Sequence, residues 1–421
     1  MDLGLQHYSQ VLFHEAPLVA NYPFGIQTIL EALGLQRGYG TVPQPTRLVS
    51  NEVLDRWIAD GVGGDVRCLL KFETENSTGT FKDRCFIEPL LRIREILEGR
   101  IKSPLMCKFV STGNHGAAGA RGVAQMNETL RCDGRPEIVA EVTIDVGVPL
   151  HKRERLERLG ARVRDRTPDG RPITSYRQAE DLVHLECERN PELYWQVPHA
   201  DRFVVSGYAV IAHEILEQLL RSGHSFSSGH CDGDNVAILS PLGSGGLFSG
   251  LLYAKSLCPQ IVSYGVAAAP ADMSFRSLWD QTLIREEIST SATNPVDGNM
   301  ATPEAYALKI IRNIADGVLL VHEEDAVFAT ALLKCAGVYP LEATSGLGLA
   351  AFLLYPELFR SVDTLVLPLT SPFVSGPVRD RIDNLATNPQ ALVEHFVQRR
   401  KELSGGASGI QFARTRVRGR Y

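Results

Sequence analysis

Short β-branched runs alternate with helix-length amphipathic stretches along most of this 421-residue chain, and that alternation restricts the fold more than any other feature. Strands joined through a helix lie parallel, because a tight hairpin cannot connect them, so the pattern predicts an α/β protein with parallel sheets. Runs at 66–72, 108–110, 138–142, 162–163, 236–239, 261–266, 318–321 and 364–367 read as strands. Stretches at 82–97, 116–126, 149–159, 207–220, 247–256, 303–314, 323–335, 346–354 and 389–403 read as helices. The length exceeds what one hydrophobic core usually organises, so two lobes are expected.

With 44% hydrophobic and 22% charged residues, the chain can bury a full core without staples. A net charge of -6 argues against a nucleic-acid partner, which needs a basic face. No apolar run approaches the roughly 18 residues that span a bilayer, so no membrane partner is expected. Residues 1–21 carry no charged-then-apolar leader, and a cytoplasmic location is expected. The 8 cysteines are scattered without a CxxC pair, which reads as reduced thiols. Residues 222–234 form a polar stretch holding His224, His230, Cys231 and Asp232. With no strand or helix there to fix a ligand geometry, it reads as a surface loop and no metal is expected. Residues 404–421, with Arg414, Arg416, Arg418 and Arg420, read as a disordered basic tail.

Three strand-to-helix junctions carry the chemistry. The first runs from Phe72 through Asn76, Ser77, Thr78, Gly79, Thr80 and Phe81 to Lys82, Asp83 and Arg84. A strand ends, a turn follows, and a helix begins near Lys82, whose ammonium is disfavoured by the N–H groups and positive helix end beside it. Such an amine is easily freed for Schiff-base formation, although a surface lysine after a capping turn has the same local pattern. The second junction is Ser111, Thr112, Gly113, Asn114, His115 and Gly116, a nest of N–H groups and polar side chains suited to a carboxylate, or simply a helix cap. In the third, a strand feeds Gly243, Ser244, Gly245, Gly246 and Leu247 at a helix start, which is a phosphate cradle. A dinucleotide fingerprint fails there, since Phe248 stands in the place of the third glycine and no acidic residue follows some 20 positions on. No Gly-Lys-Ser/Thr follows, which excludes a Walker loop. A monophosphate is the better fit.

Together these pieces resemble the pyridoxal 5'-phosphate (PLP) enzymes of the tryptophan synthase β-subunit fold (fold type II), especially threonine synthases and threonine/serine dehydratases. The lysine motif NSTGTFKDR is similar to the family's NPTGSFKDR, STGNHG to SSGNHG, and GSGGL to GGGGL. Further similar pieces are Pro45-Thr-Arg-Leu48 at the entry, residues 297–302 with 315–318, and Leu341-Glu-Ala-Thr-Ser-Gly346, which looks like EPSGA. The likeness covers roughly 40–380. Departures are Ser77 and Thr80 in the lysine motif, Ser244 in the glycine run, and Ala268 and Ala269 where dehydratases often carry Val-Glu-Pro.

The resemblance implies fold type II, two open parallel-sheet lobes with PLP in the cleft. A large PLP-binding lobe of 20–102 and 206–400 and a small closing lobe of 103–205 are expected, after an N-terminal extension of 1–19. It implies that Lys82 carries PLP and later moves the Cα proton, and that Asn114 bonds the 3'-oxygen. Gly243, Ser244, Gly245, Gly246 and Leu247 would hold the phosphate, and Ser111, Thr112, Gly113 and His115 the substrate carboxylate. Thr370 or Ser371 would face the pyridine nitrogen. A hydroxyl there leaves the ring a weaker electron sink, which favours loss of a β-substituent over transamination. The activity implied is PLP-dependent β-elimination or β-replacement on a Ser/Thr-like or O-activated amino acid, through an aminoacrylate and with a second nucleophilic substrate in the replacement case. Threonine synthase chemistry on O-phosphohomoserine is the alternative. Intact Lys82 and all three loops argue against a non-catalytic PLP-binding protein. A homodimer is expected by family analogy.

Overall fold

A computed structural model describes residues 45–85, 106–111, 113–226, 234–269, 271–284, 303–373 and 376–405. The chain opens with β1 (Leu48–Ser50), α1 (Glu52–Val62) and β2 (Arg67–Phe72). There follow β3 (Met106–Val110), α2 (Asn114–Cys132), β4 (Val139–Thr143), α3 (Leu150–Arg158), β5 (Arg162–Arg164), α4 (Tyr176–Arg189), β6 (Tyr194–Gln196) and α5 (Arg202–Arg221). Next come β7 (Val236–Pro241), α6 (Gly246–Leu257), β8 (Val262–Ala269), α7 (Met273–Trp279), α8 (Ala305–Ile314), β9 (Gly317–His322) and α9 (Glu323–Cys335). The chain closes with α10 (Leu347–Leu354), β10 (Thr364–Leu369), α11 (Gly376–Leu385) and α12 (Pro389–Gly405).

The strands form a 6-stranded sheet, β1-β2-β10-β7-β8-β9, and a 4-stranded sheet, β5-β4-β3-β6. Every pairing is parallel except β1 with β2, so the alternation of strand and helix translates into the expected architecture. The central strands β7 and β10 are buried along their whole length, which is why they read as unbroken apolar runs. Register decides where the loops meet. Leu369 pairs with Phe72, so the lysine turn after β2 and the Thr370–Ser371 exit of β10 leave one sheet edge together. Val110 pairs with Thr143, which puts the Ser111 loop at the same end of the smaller sheet as the segment leading into α3.

Every strand read from the sequence is present, most of them within two residues of the expected bounds. The short edge strands β1 and β6, of three residues each, were not read from the sequence. Helices α1, α4, α7 and α11 were also missed. For α1 and α4 the signals exist: Asn51 and Ser175 cap them by accepting from Leu54 N and Gln178 N, and α1 ends at Gly63. The helix expected from Lys82 begins as a 3-10 turn, Phe81–Cys85, and its continuation falls outside the described residues. So do 1–19, His230, Cys231, Asp232, 297–302 and most of the basic tail. His224 is described, and its ring is bonded locally to Leu219 O and across to the Thr364 hydroxyl. Among the described residues one helix, α5, is long and apolar enough to cross a membrane, against the expectation that no run approaches that length. Most of its residues are buried in the protein core, where a helix is apolar all round for another reason.

Candidate active site

The lysine turn stands on a buried charge cluster. Arg84, fully buried, donates to both Glu73 oxygens at 3.0 Å and to both Glu214 oxygens at 2.7 and 2.9 Å. Lys71 Nζ donates to Glu214 at 2.7 Å and the Thr46 hydroxyl to Glu73 at 2.6 Å. Two cations thus meet two carboxylates with their hydrogen-bonding capacity largely used, the condition under which buried ions are tolerated. The cluster ties β2, the 3-10 turn and α5 together. Above it, Asp83 accepts from Thr78 N and Thr78 Oγ1 at 2.7 and 2.6 Å and closes the turn on itself.

Lys82 rises from this base with its Nζ 4.8 Å from the Phe81 ring centre and 5.7 Å from that of Tyr208. Its backbone N–H donates to the Thr80 hydroxyl at 3.2 Å, and Nζ has no hydrogen-bond partner among the described residues. Burial lowers its pKa, with Cys85 and Glu342 acting in the opposite direction. Desolvation therefore acts in the direction expected of a helix end, beside a turn whose described part, Phe81–Cys85, is 3-10.

The phosphate-type loop has the conformation its sequence implies. Gly245 caps α6 at φ 98, a backbone region that side chains avoid, and a Cβ on it would sit 3.0 Å from Ala307 Cβ. A Cβ on Gly246 would lie 3.0 Å from both Ala200 Cβ and the His199 carbonyl oxygen. The first N–H groups of α6 have no acceptor within the helix and open onto this loop. Ser244 and Leu247 are buried beside them, and Gly243 O accepts from the Ser274 hydroxyl.

In the Ser111 loop, Ser111 Oγ accepts from Gly113 N at 3.2 Å and Gly116 N at 2.9 Å, so it organises the loop and caps α2. Thr112 lies outside the described residues. His115 is buried, its Nε2 3.3 Å from Val197 O and its Nδ1 3.7 Å from Cys85 Sγ. Burial, then His199 and Lys82, push its pKa well down, so it is neutral. Asn114 is held at both ends: Oδ1 accepts from Arg155 Nη1 at 2.9 Å, and Nδ2 donates to Glu342 at 3.3 Å.

From Glu342 the chain of bonds runs to the strand exit. Thr370 Oγ1 donates to Glu342 at 2.8 Å and lies 3.0 Å from Ser345 Oγ, while Thr370 N donates to Ser345 Oγ. The Thr370 proton is thus spent on a carboxylate. Ser371 Oγ accepts from Phe373 N at 3.1 Å and keeps its own proton. The carboxylate beside these hydroxyls was missed as a site residue. Its signal was present in the Leu341–Gly346 motif, but nothing local tied it to Thr370, 28 residues away.

A second missed residue is His199. Its Nε2 lies 2.6 Å from the Tyr176 hydroxyl and 3.0 Å from Val110 O, and its ring centre is 4.3 Å from that of His115. Burial, with the Lys82 charge, lowers its pKa to about 3. It touches both the Ser111 loop and Gly246, so the lysine, the nest and the phosphate-type loop converge on one cleft. The residues present fit PLP: a desolvated amine with no hydrogen-bond partner among the described residues, a glycine loop with no room for side chains, and hydroxyls at the strand exit.

The sequence profile of the family "Pyridoxal-phosphate dependent enzyme" matches residues 44–371. The serine racemase of Rattus norvegicus is 24% identical over 326 residues, 76% of this chain and 84% of that protein. A threonine deaminase from T.th. superposes with a TM-score of 0.61 at 27% identity, covering 83% of this chain and 98% of the other. A diaminopropionate ammonia lyase from Escherichia coli superposes with a TM-score of 0.66 at 16% identity, covering 90% and 95%, and this likeness concerns the fold. With a glycine loop, a desolvated lysine and a profile match that spans most of its length, the chain belongs to the pyridoxal-phosphate dependent enzymes, in the fold type II arrangement.

Proposed function

We propose that this PLP-dependent lyase removes the β-substituent of a Ser/Thr-like or O-activated amino acid and releases a 2-oxo acid and ammonia. The observation that carries the reading is Lys82, a partly buried amine whose Nζ has no hydrogen-bond partner among the described residues, at the meeting point of the nest and the phosphate-type loop.

Bound PLP supplies an electron sink that acidifies the amino-acid Cα. Everything else falls to the chain. Gly243, Ser244, Gly245, Gly246 and Leu247 hold the phosphate through N–H groups at the start of α6. Ser111, Thr112, Gly113 and His115 would hold the carboxylate, and Asn114 would bond the 3'-oxygen. Lys82 Nζ takes the Cα proton. Burial makes it a free base at a lower pH than an exposed lysine, because the charged form is the one desolvation penalises. Thr370, whose hydroxyl already serves Glu342, could meet the ring nitrogen only as an acceptor, whereas the Ser371 hydroxyl, which accepts from Phe373 N, could also donate. The lobe of 103–205 closes over the substrate against that of 20–102 and 206–400, excluding water from the reacting centre. A homodimer in the cytoplasm is the working assembly.

The test is product analysis of the PLP-loaded protein with serine, threonine and O-substituted serines. Stoichiometric 2-oxo acid and ammonia are expected from at least one. Phosphate release from O-phosphohomoserine, with no turnover of any β-substituted amino acid, would replace this reading by the threonine synthase one.

A further inference from the structure

Arg155 stands in the last turn of α3 and reaches into the cleft. Its Nη1 donates to Asn114 Oδ1 at 2.9 Å, its Nη2 approaches the Thr78 carbonyl at 3.4 Å, and its guanidinium carbon lies 3.4 Å from the Phe373 ring centre. Three segments distant in sequence meet on this side chain: the Ser111 loop, the lysine turn, and the chain leaving β10. No carboxylate pairs with it among the described residues. The nearby Glu342 serves Thr370 and Asn114, and Asp83 serves Thr78. Burial lowers the Arg155 pKa to about 10, against the pull of Glu342 and Asp83, so it remains a cation at neutral pH.

A guanidinium has five donors and no acceptor, so the end of an amide that faces it must be the oxygen. That pins Asn114 Oδ1 to Arg155 and turns Nδ2 the other way, toward Glu342 and the strand exit. The Glu342 carboxylate favours the same orientation from the far end, but through a longer bond of 3.3 Å, against 2.9 Å to Arg155.

We propose that Arg155 is a positioning residue that holds the Asn114 side chain with its NH2 toward the 3'-oxygen of PLP, and couples that orientation to the seating of α3 against the lysine turn. This rests on the reading that Asn114 faces the 3'-oxygen. A mere tie between segments would lower the melting temperature on removal and leave the cofactor's environment alone. A positioning residue must alter that environment even before substrate is added.

The experiment uses the PLP-loaded protein without substrate, comparing wild type with Arg155→Met, Arg155→Gln and Arg155→Lys, each alone and combined with Asn114→Ala. Visible absorption and the dissociation constant for PLP are read first, then kcat and KM. Arg155→Met is expected to change the absorption band, weaken PLP by about 10-fold or more, and lower kcat more than it raises KM. Arg155→Lys keeps a donor at Oδ1 and restores most of the spectrum. In the Asn114→Ala background, Arg155→Met has no further effect on spectrum or affinity, because its partner is gone. A wild-type spectrum and PLP affinity in Arg155→Met, whatever its melting temperature, overturns the proposal, as does an undiminished effect in the Asn114→Ala background. If Arg155→Met does not fold, Arg155→Gln decides, since glutamine can meet either end of the amide: an altered spectrum supports the role and an unaltered one ends it. Failure of the β-elimination reading looks different, namely a wild type with a normal spectrum that turns over no β-substituted amino acid.

Discussion

At the residue scale, the centre of the protein is the partly buried Lys82 amine, which has two aromatic rings beside it and no hydrogen-bond partner among the described residues. Lys82 was legible because the turn before it and its place after a strand are local features. Glu342, His199 and Arg155 were not, because each acts through neighbours made by folding: Glu342 meets Asn114 across 228 residues and Arg155 meets it across 41. Replacing Lys82 by alanine is expected to abolish turnover and the visible absorption of the bound cofactor, with weak PLP retention through the phosphate loop; an unchanged spectrum after dialysis would place the cofactor on another lysine. Thr370 and Ser371 separate in the same way. Thr370→Val leaves the buried Glu342 carboxylate short of a donor, at a cost of about 1–3 kcal/mol that thermal or denaturant unfolding reads directly. Ser371→Ala, by comparison, removes a hydroxyl bonded among the described residues only to Phe373 N and is expected to cost less than half as much.

At the element scale, two devices set the site: the glycine loop at the head of α6 and the ion cluster under the lysine turn. The loop could be read from sequence because conformation and composition coincide in it. The cluster could not, since its four charges come from β2, the two turns that follow it and α5. Gly245→Asp puts a side chain at φ 98 and a carboxylate beside a phosphate dianion, so PLP affinity is expected to fall by well over ~10-fold, read as cofactor content after gel filtration. Glu214 tests the cluster. Burial alone would raise its pKa, but Arg84 and Lys71 outweigh that and hold it near about 2, below the ordinary 4.5. A depressed folded-state pKa contributes stability that is complete above about pH 4.5 and drains away as pH falls toward 2. Glu214→Gln is therefore expected to destabilise the protein at neutral pH by about 3–5 kcal/mol, because Arg84 and Lys71 lose a shared buried carboxylate and Arg84 keeps only that of Glu73 among the described carboxylates, and to flatten the acid limb of the stability curve. Denaturant melts of both forms from pH 7 to pH 3 measure this, and parallel acid limbs would show that Glu214 is not the group responsible.

At the scale of the whole molecule, two parallel sheets bring their loop-bearing ends to one cleft, and registers such as Leu369 with Phe72 align the pieces. The alternation of strands and helices disclosed the architecture, and three glycine-containing loops disclosed the cofactor. The fine wiring stayed hidden: which hydroxyl keeps a proton, which end of Asn114 faces inward, and what lines the wall behind the nest are set by packing across the cleft. The central claim is that Lys82 is the residue that carries PLP. Borohydride reduction of the PLP-loaded protein, followed by digestion and mass spectrometry, tests it most directly. The pyridoxyl mass is expected on the peptide containing Lys82 and absent from that peptide in Lys82→Ala. A label found on any other lysine, with Lys82 unmodified, would contradict the account.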